Sequence, residues 1–538
     1  MVAFIKNFLC VVLVLVSCDA EELQRATFRA AVYEHAVILS DVRHENSSVS
    51  RATALKHMMK NLNIYRDHVE TASRQGVDII VFPEDGIYGM GFTRKALSSY
   101  LEYIPDPKNE SWSACAEPNR YPNTEVQHFL SCLAKNNSMF IVANFGDKQP
   151  CSQDTYPSCP IDGHFQFNTD VVYNPLGTLI AKYHKENLFF EYQFDFPPVT
   201  EVVTFDTPFG LFGIFTCFDI IFHDPAIDLI NRGVRNIVFP TAWMDALPLL
   251  GAVQFHSAFA RGMGLNFLAA NINWPLMRFH GSGIYTPDGV LTYYYNDRHA
   301  RGQLLISDVP IIRSESVSTS PFTPRLPRIP IATSGTELSV VHWTQNPTVP
   351  LSPQVFGNMM ITGMRAESTF RSFVFHDLYT FKQLDGASAG TVSVCNNALC
   401  CSLHYERDLV SGDVYAFGAF DGLHTYQGTY YMQVCTLLKC QGITKSSCGK
   451  PTTAAKTHFR NIRISGNFSS PYVFPEVLTY QNGSLAVPLK NTWTYTPSIL
   501  SVDTGLSDPV VSAGLFGRVY TNLDTNGHNQ KEAFNQRN

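Results

Sequence analysis

The chain has 538 residues, 45% of them hydrophobic and 12% aromatic, enough to bury a large core spread over two or more domains. Its formal charge of -6 and the lack of any Lys/Arg-rich run leave no basic field for nucleic acid, which is not expected as a partner.

In chain order, the first twenty residues place Lys6 ahead of an apolar run from Phe8 to Val16, then the small-x-small pattern Cys18-Asp19-Ala20. This predicts a secretory signal over residues 1–20, because the run is well short of the ~20 residues a spanning helix needs. "TFRAAVYEHA" reads as a strand, and Leu55, Met58, Met59, Leu62, Tyr65, Val69 and Ala72 recur at helical spacing over residues 52–73. "VDIIVFPE" is a short continuous apolar run of the kind buried on both faces, followed by a helix near 124–135 and a second such run, "MFIVANFG". Further strands are expected at "TDVVYNP", "TLIAKYHK", "GLFGIFTCF", "RNIVFPTAW" and "NFLAANIN", with helices near "PAIDLINRG" and "VQFHSAFARGMG". The alternation predicts an α/β domain over residues 25–310 with strand-end loops free for chemistry.

Residues 311–352 turn Pro-, Ser- and Thr-rich and read as a linker or surface connection. Beyond 353 the runs "RSFVFHDLYTF", "GTVSVC", "GTYYMQVCTLL" and "GLFGRVY" read as strands between Gly-containing turns, predicting a mostly β domain to about 525. Residues 526–538 form a polar tail, without the hydrophobic stretch of a glycolipid-anchor signal, so no membrane anchor is expected and a secreted, extracellular product is. Sequons at Asn46, Asn109, Asn136, Asn467 and Asn482 fit that compartment.

Thirteen cysteines are present, and removing the signal takes Cys10 and Cys18, leaving eleven. Cys115, Cys132, Cys151 and Cys159 cluster early, and Cys395, Cys400, Cys401, Cys435, Cys440 and Cys448 cluster late. Each cluster can pair within itself, with the connectivity open. Cys217 is the remainder, and an unpaired thiol in an oxidising compartment is inertly buried, bonded to another chain or chemically employed. No metal or cofactor is expected, since Cys400 and Cys401 are adjacent, no CxxC pair occurs, and oxidised sulfur is no thiolate ligand.

Cys217 lies where an apolar strand ends and "DPAIDLI" suggests a helix, whose N-terminal amides would favour a thiolate; the Phe218 N–H could serve an oxyanion. Glu84 is the first charged residue after "IIVFP", either a desolvated general base or an exposed turn carboxylate. Lys185 stands between "TLIA" and "LFF", either a buried ammonium that must be paired or a surface side chain snorkelling along apolar neighbours.

Together these residues resemble the Glu-Lys-Cys triad of the nitrilase, or carbon–nitrogen hydrolase, superfamily, with Glu84 in "FPEDGIYG", Lys185 in "HKENL" and Cys217 in "TCFD". Phe218 stands where most of the superfamily carries Tyr or Trp, a variant of the vertebrate biotinidase and vanin-type pantetheinase branch. "LSCLAKNNSMFIVAN", "GIFTCFDIIFHDPA", "LCCSLHYERD" and "GAFDGLHTYQGTYYMQVC" also resemble that branch. The resemblance implies a nitrilase-type αββα sandwich domain followed by a smaller, mostly β C-terminal domain. It implies a thioester amidase in which Glu84 moves protons, Lys185 and the Phe218 N–H hold the oxyanion, and Cys217 attacks. Glu191, six residues past Lys185, is either an additional site carboxylate or a surface-loop acid, and Trp243 either lines the acyl pocket or belongs to the core.

The expected substrate is a small-molecule or peptide-linked secondary amide. "NLFFEYQFDFPP" resembles the biotinidases of the branch, which hydrolyse biocytin and biotin amides. Hydrolysis of pantetheine is the alternative, and a catalytically inactive, vitamin-binding secreted glycoprotein is the reading from another class.

Overall fold

Alternating apolar strands and amphipathic helices leave few ways to bury both faces of a sheet, and the first half of the chain takes the layered one. The computed structural model describes residues 25–312, 369–489 and 491–521; the expected signal, most of the expected linker and the polar tail lie outside them. In chain order the strands are β1 (Thr27–Glu34), β2 (Ile79–Val81), β3 (Phe140–Pro150), β4 (His164–Tyr173), β5 (Leu179–His184) and β6 (Val203–Thr207). They continue as β7 (Gly210–Ile214), β8 (Asn236–Thr241), β9 (Asn266–Asn271), β10 (Ser282–Thr286), β11 (Gly289–Tyr294) and β12 (Gln303–Pro310). The main helices are α1 (Arg51–Arg74), α2 (Glu125–Asn137) and α3 (Ala252–Met263).

Two six-stranded sheets result, ordered β12-β1-β2-β3-β4-β5 and β11-β10-β9-β8-β7-β6. Each has a parallel centre, β1-β2-β3 in one and β7-β8-β9 in the other, extended by antiparallel strands. β1 shows how the layers form. Ala30 and Val32 point between the sheets with Phe212 and Ile214, whereas Ala31 and Tyr33 meet the helical layer. On that layer α1 starts at Ser50, whose side chain accepts from the Thr53 N–H, and buries Ala54, Met58, Leu62, Tyr65, Val69 and Ala72. Met58, Leu62 and Val69 each contribute about 1.5–3 kcal/mol on leaving water.

Most of α3 is buried, the polar Gln254 and His256 included, and only Ser257 and Arg261 are partly exposed. It lies between the second sheet and the C-terminal domain, where the Phe255 ring is 5.9 Å from Phe474 and 5.4 Å from Phe516. Gly262 permits the close approach, since a Cβ there would come within 2.6 Å of the Val473 carbonyl oxygen.

The C-terminal domain is two antiparallel sheets around Leu403, Tyr405, Phe417, Leu437, Ile462 and Ile464. "RSFVFHDLYTF", expected as one strand, is a hairpin of Phe370–Val374 and Asp377–Gln383. Its turn residues Phe375 and His376 both have positive φ, a conformation usually signalled by Asn or Gly, so the turn was hidden in an apolar run. Five disulfides join Cys115–Cys132, Cys151–Cys159, Cys395–Cys400, Cys401–Cys435 and Cys440–Cys448. The described residues up to Ile312 and from Thr369 belong to one compact unit.

Candidate active site

The C-terminal ends of β2, β5, β7 and β8 converge, and each delivers one group. Glu84 follows β2 by way of Phe82-Pro83, Lys185 follows directly on β5, Cys217 follows β7, and Ala242 and Trp243 follow β8. Glu84, Lys185 and Cys217 are all buried. Among the described residues Cys217 is the free cysteine.

Lys185 Nζ donates to Glu84 Oε1 at 2.7 Å and also to Glu191 Oε2. Asn168 spends both hydrogens of its amide on the same two carboxylates, 2.7 Å to Glu84 Oε1 and 2.6 Å to Glu191 Oε1. The other Glu84 oxygen accepts from the Ala242 N–H at 2.8 Å. Glu191 is therefore no surface-loop acid. The Phe189 N–H, donating to its Oε2 at 2.9 Å, folds the loop inward and buries it.

Charge and burial compete here. Burial alone would lower the Lys185 ammonium, but Glu191, Glu84 and Cys217 outweigh it and hold it well above its usual range. Burial, with the Glu84 carboxylate nearby, pushes the Cys217 thiol far up, against the pull of Lys185 and Thr241. Burial and the neighbouring carboxylate thus favour the neutral thiol over the thiolate.

Cys217 does not stand at the start of the helix whose N-terminal amides were expected to favour a thiolate. Cys217 opens a five-residue 3-10 turn, Cys217–Ile221, and no long helix follows. Asp224 precedes Pro225 and takes extended φ/ψ values (-99°, 131°), so the helix expected at "DPAIDLI" is separated from the Cys217 turn and runs as a π-helical turn, His223–Ile227, into Asp228–Asn231. Cys217 itself has φ 47°, a left-handed, strained conformation that the surroundings fix.

A second polar layer, missed in the sequence reading, supports the first. Asn144 Nδ2 donates to Asn168 Oδ1 at 2.6 Å and to Asp170 Oδ1 at 2.8 Å, and Thr216 Oγ1 donates to Asp170 Oδ2 at 2.6 Å. Asp219 accepts from Tyr183 Oη at 2.7 Å, the Thr216 N–H at 3.0 Å and the Asn187 N–H at 2.8 Å, pinning the turn after the nucleophile. Behind Lys185, His184 lies between Asp147 at 2.8 Å and Glu201 at 3.0 Å, and these carboxylates raise it against the effect of burial. In sequence the layer leaves only the alternation of Asn168 and Asp170 in "FQFNTDVVY", which has the period of a solvent face, although β4 is buried on both faces.

Beside Cys217 a cleft of about 620 Å³, its open mouth included, is lined by Phe189, Phe218, Ile221, Trp243 and Leu250 from the N-terminal domain. Phe218 packs between Phe189 and Phe222, with ring centroids 4.9 and 5.0 Å away. Trp243 is both wall and core: it lines the cleft, stacks on Phe255, and donates from Nε1 to the Leu250 carbonyl at 2.9 Å. The five sequon asparagines, Asn46, Asn109, Asn136, Asn467 and Asn482, are all exposed.

A layered α/β domain with buried carboxylate, ammonium and thiol at its strand ends defines a cysteine amidohydrolase of the carbon–nitrogen hydrolase class, and the Carbon-nitrogen hydrolase family model matches residues 51–291. The Vanin C-terminal domain model matches residues 369–523. Similar curated proteins include a pantetheinase from Sus scrofa, 44% identical over 96% of this chain and 94% of that protein. A pantetheinase from Homo sapiens is 45% identical (92% and 89% covered) and a biotinidase from Mus musculus 42% identical (94% and 95% covered). The chain belongs to the vanin and biotinidase family of carbon–nitrogen hydrolases.

Proposed function

We propose that the protein is a secreted amidase that cleaves the secondary amide of biocytin and related biotin amides. The observation that carries this reading is the buried pairing of Lys185 with Glu84 beside a free Cys217 at the head of an apolar cleft. Glu84 takes the thiol proton as the sulfur attacks the amide carbonyl, and Lys185 and the Phe218 N–H stabilise the oxyanion. Glu84 then gives that proton to the departing amine, the C–N bond breaks, and an acyl thioester remains on Cys217. Water, deprotonated by Glu84, attacks the thioester and releases the acid and the restored thiol. Glu191 shares the charge of Lys185, so that the ammonium stays balanced while Glu84 carries the proton.

Support for biotin as the acyl group comes from the resemblance of "NLFFEYQFDFPP", which contains the Phe189-Phe190-Glu191 step, to the biotinidases. Phe190 has φ 55°, a conformation in which glycine is at ease, and its ring meets that of Phe189 at 4.8 Å, bracing Phe189 in the cleft wall. The second reading, hydrolysis of pantetheine, is favoured by the slightly higher identity to pantetheinases, 44% against 42%. Five disulfides, and the absence among the described residues of a helix long and apolar enough to cross a membrane, support an extracellular site of action. Initial rates on biocytin and pantetheine, with Cys217→Ser as the blank, test the reading: biocytin turnover is expected to dominate, and faster pantetheine turnover would replace it.

A further inference from the structure

Hairpin turns of the C-terminal domain overhang the nucleophile. Phe375 from one turn and Tyr426, Gln427 and Tyr430 from another line the cleft that holds Cys217. The second turn is fixed from several directions. Gly428 has φ 137°, and a Cβ on it would come within 2.9 Å of Phe218 Cζ, so its backbone lies directly against the residue that follows the nucleophile. Both ring nitrogens of buried His424 face acceptors, Asp377 Oδ2 at 2.6 Å and the Tyr426 carbonyl oxygen. The ring of His376 lies 3.8 Å from that of Tyr426.

Gln427 differs from its neighbours in this fixed turn. Its φ is 59°, its side chain is exposed at the mouth of the cleft, and its carboxamide makes no hydrogen bond to another described residue. The lining around it is mainly aromatic and aliphatic, and no Lys, Arg, Asp or Glu is part of it among the described residues. An anionic or cationic acyl end would find no oppositely charged Lys, Arg, Asp or Glu in that lining, whereas a neutral polar group needs none.

We propose that Gln427 is a specificity-determining residue for the acyl half of the substrate, its carboxamide hydrogen-bonding a neutral polar group at the far end of an otherwise apolar acyl chain. A ureido, amide or hydroxyl group meets that description, since a carboxamide offers a donor and an acceptor together. This rests on the amidase reading above and assigns the C-terminal domain a direct part in substrate choice.

The 4-nitroanilides of biotin, pantothenic acid and pentanoic acid share a leaving group and differ only in the acyl end. Gln427→Ala is expected to raise KM about tenfold for whichever polar acyl anilide the wild type cleaves, the loss of one hydrogen bond. It should hold kcat within about twofold and leave the pentanoyl anilide unchanged. An equal effect on all three anilides, or none on any, overturns the proposal. Calorimetric binding of biotin and of pantothenate to Cys217→Ser protein reads the same contact without turnover. Adding Gln427→Ala to that protein should weaken binding about tenfold, and unchanged or absent binding of both acids sinks the proposal. A wild type that cleaves no anilide, but whose Cys217→Ser form binds one acid in a Gln427-dependent way, refutes the amidase reading alone.

Discussion

Lys185 and Glu84 form a 2.7 Å ion pair in which neither side chain is more than 2% exposed. Such a pair is costly to break from one side. Lys185→Met leaves Glu84 and Glu191 buried together without their cation, for an expected loss of about 3–5 kcal/mol in urea unfolding and at least a thousandfold in kcat/KM. Glu84→Gln should separate the two effects. The glutamine carbonyl can still accept from Lys185 Nζ and Asn168 Nδ2, leaving only the Ala242 N–H without its acceptor, and Lys185 keeps Glu191, so stability should fall by no more than about 2 kcal/mol while turnover is lost. Equal destabilisation by the two substitutions would contradict this division of labour.

Buried carboxyls give stability a pH dependence of definite sign. Burial raises Glu34 and Asp170 to about 8 and Asp219 to about 7. The folded chain therefore holds protons that the unfolded chain releases above its ordinary carboxylate values, and stability falls as pH rises toward 8. His35 and His280, lowered by burial to about 4 from 6.5, act in the opposite direction, but only below pH 6.5, where the unfolded chain takes up their protons. Above pH 6.5 the acids act without that opposition. Urea midpoints should drop from pH 6.5 to 8.5, and Asp170→Asn, which mimics the protonated acid between Asn144 and Thr216, should flatten the slope by up to about 1.4 kcal/mol per pH unit. A slope unchanged by Asp170→Asn would mean that Asp170 is ionised in the folded chain.

The free thiol provides a chemical count. Ten cysteines are bridged and Cys217 is not, so protein unfolded without reductant should take one alkyl group, at Cys217, once Cys10 and Cys18 have left with the expected signal. In the folded protein the raised thiol should react slowly with iodoacetamide at pH 7 and faster as pH increases, with turnover lost in step. Peptide mapping by mass spectrometry checks both statements, and fast alkylation at pH 6 would point to a preformed thiolate.

What sequence could reveal of this site follows from distance along the chain. Glu84 and Cys217 stand at the ends of apolar runs and Lys185 between two of them, but each kept a second reading when taken singly, and the resemblance to the Glu-Lys-Cys triad joined them into one candidate site. Asn168 and Asp170 were not legible, because polar residues two apart in a strand suggest a solvent face, whereas β4 is buried on both faces. The inward fold of Glu191 depends on one backbone donor, Phe189, which leaves no compositional trace. The layered fold showed in strand and helix periods, but the contact of Gly428 with Phe218 joins residues in different domains, and no local period encodes it.

Arg518 tests whether the C-terminal domain braces the turn that carries the nucleophile. Although fully buried, its Nε donates to the Ile221 carbonyl at 2.8 Å, its Nη1 donates to the Tyr431 carbonyl, and its guanidinium lies 4.9 Å from the ring centroid of Tyr430. Ile221 ends the turn that Cys217 begins, and both Ile221 and Tyr430 line the cleft. Arg518→Met keeps much of the aliphatic packing but removes both charge-assisted hydrogen bonds, so it should cost about 2–4 kcal/mol in urea unfolding. Because the lost contacts hold the site rather than touch the reacting atoms, kcat/KM should fall about tenfold to a hundredfold, far less than for Lys185→Met. Arg518→Lys, which can restore one of the two bonds, should lie between wild type and Arg518→Met in both measurements. Full activity in Arg518→Met despite the stability loss would show that the turn after Cys217 keeps its geometry without help from the second domain.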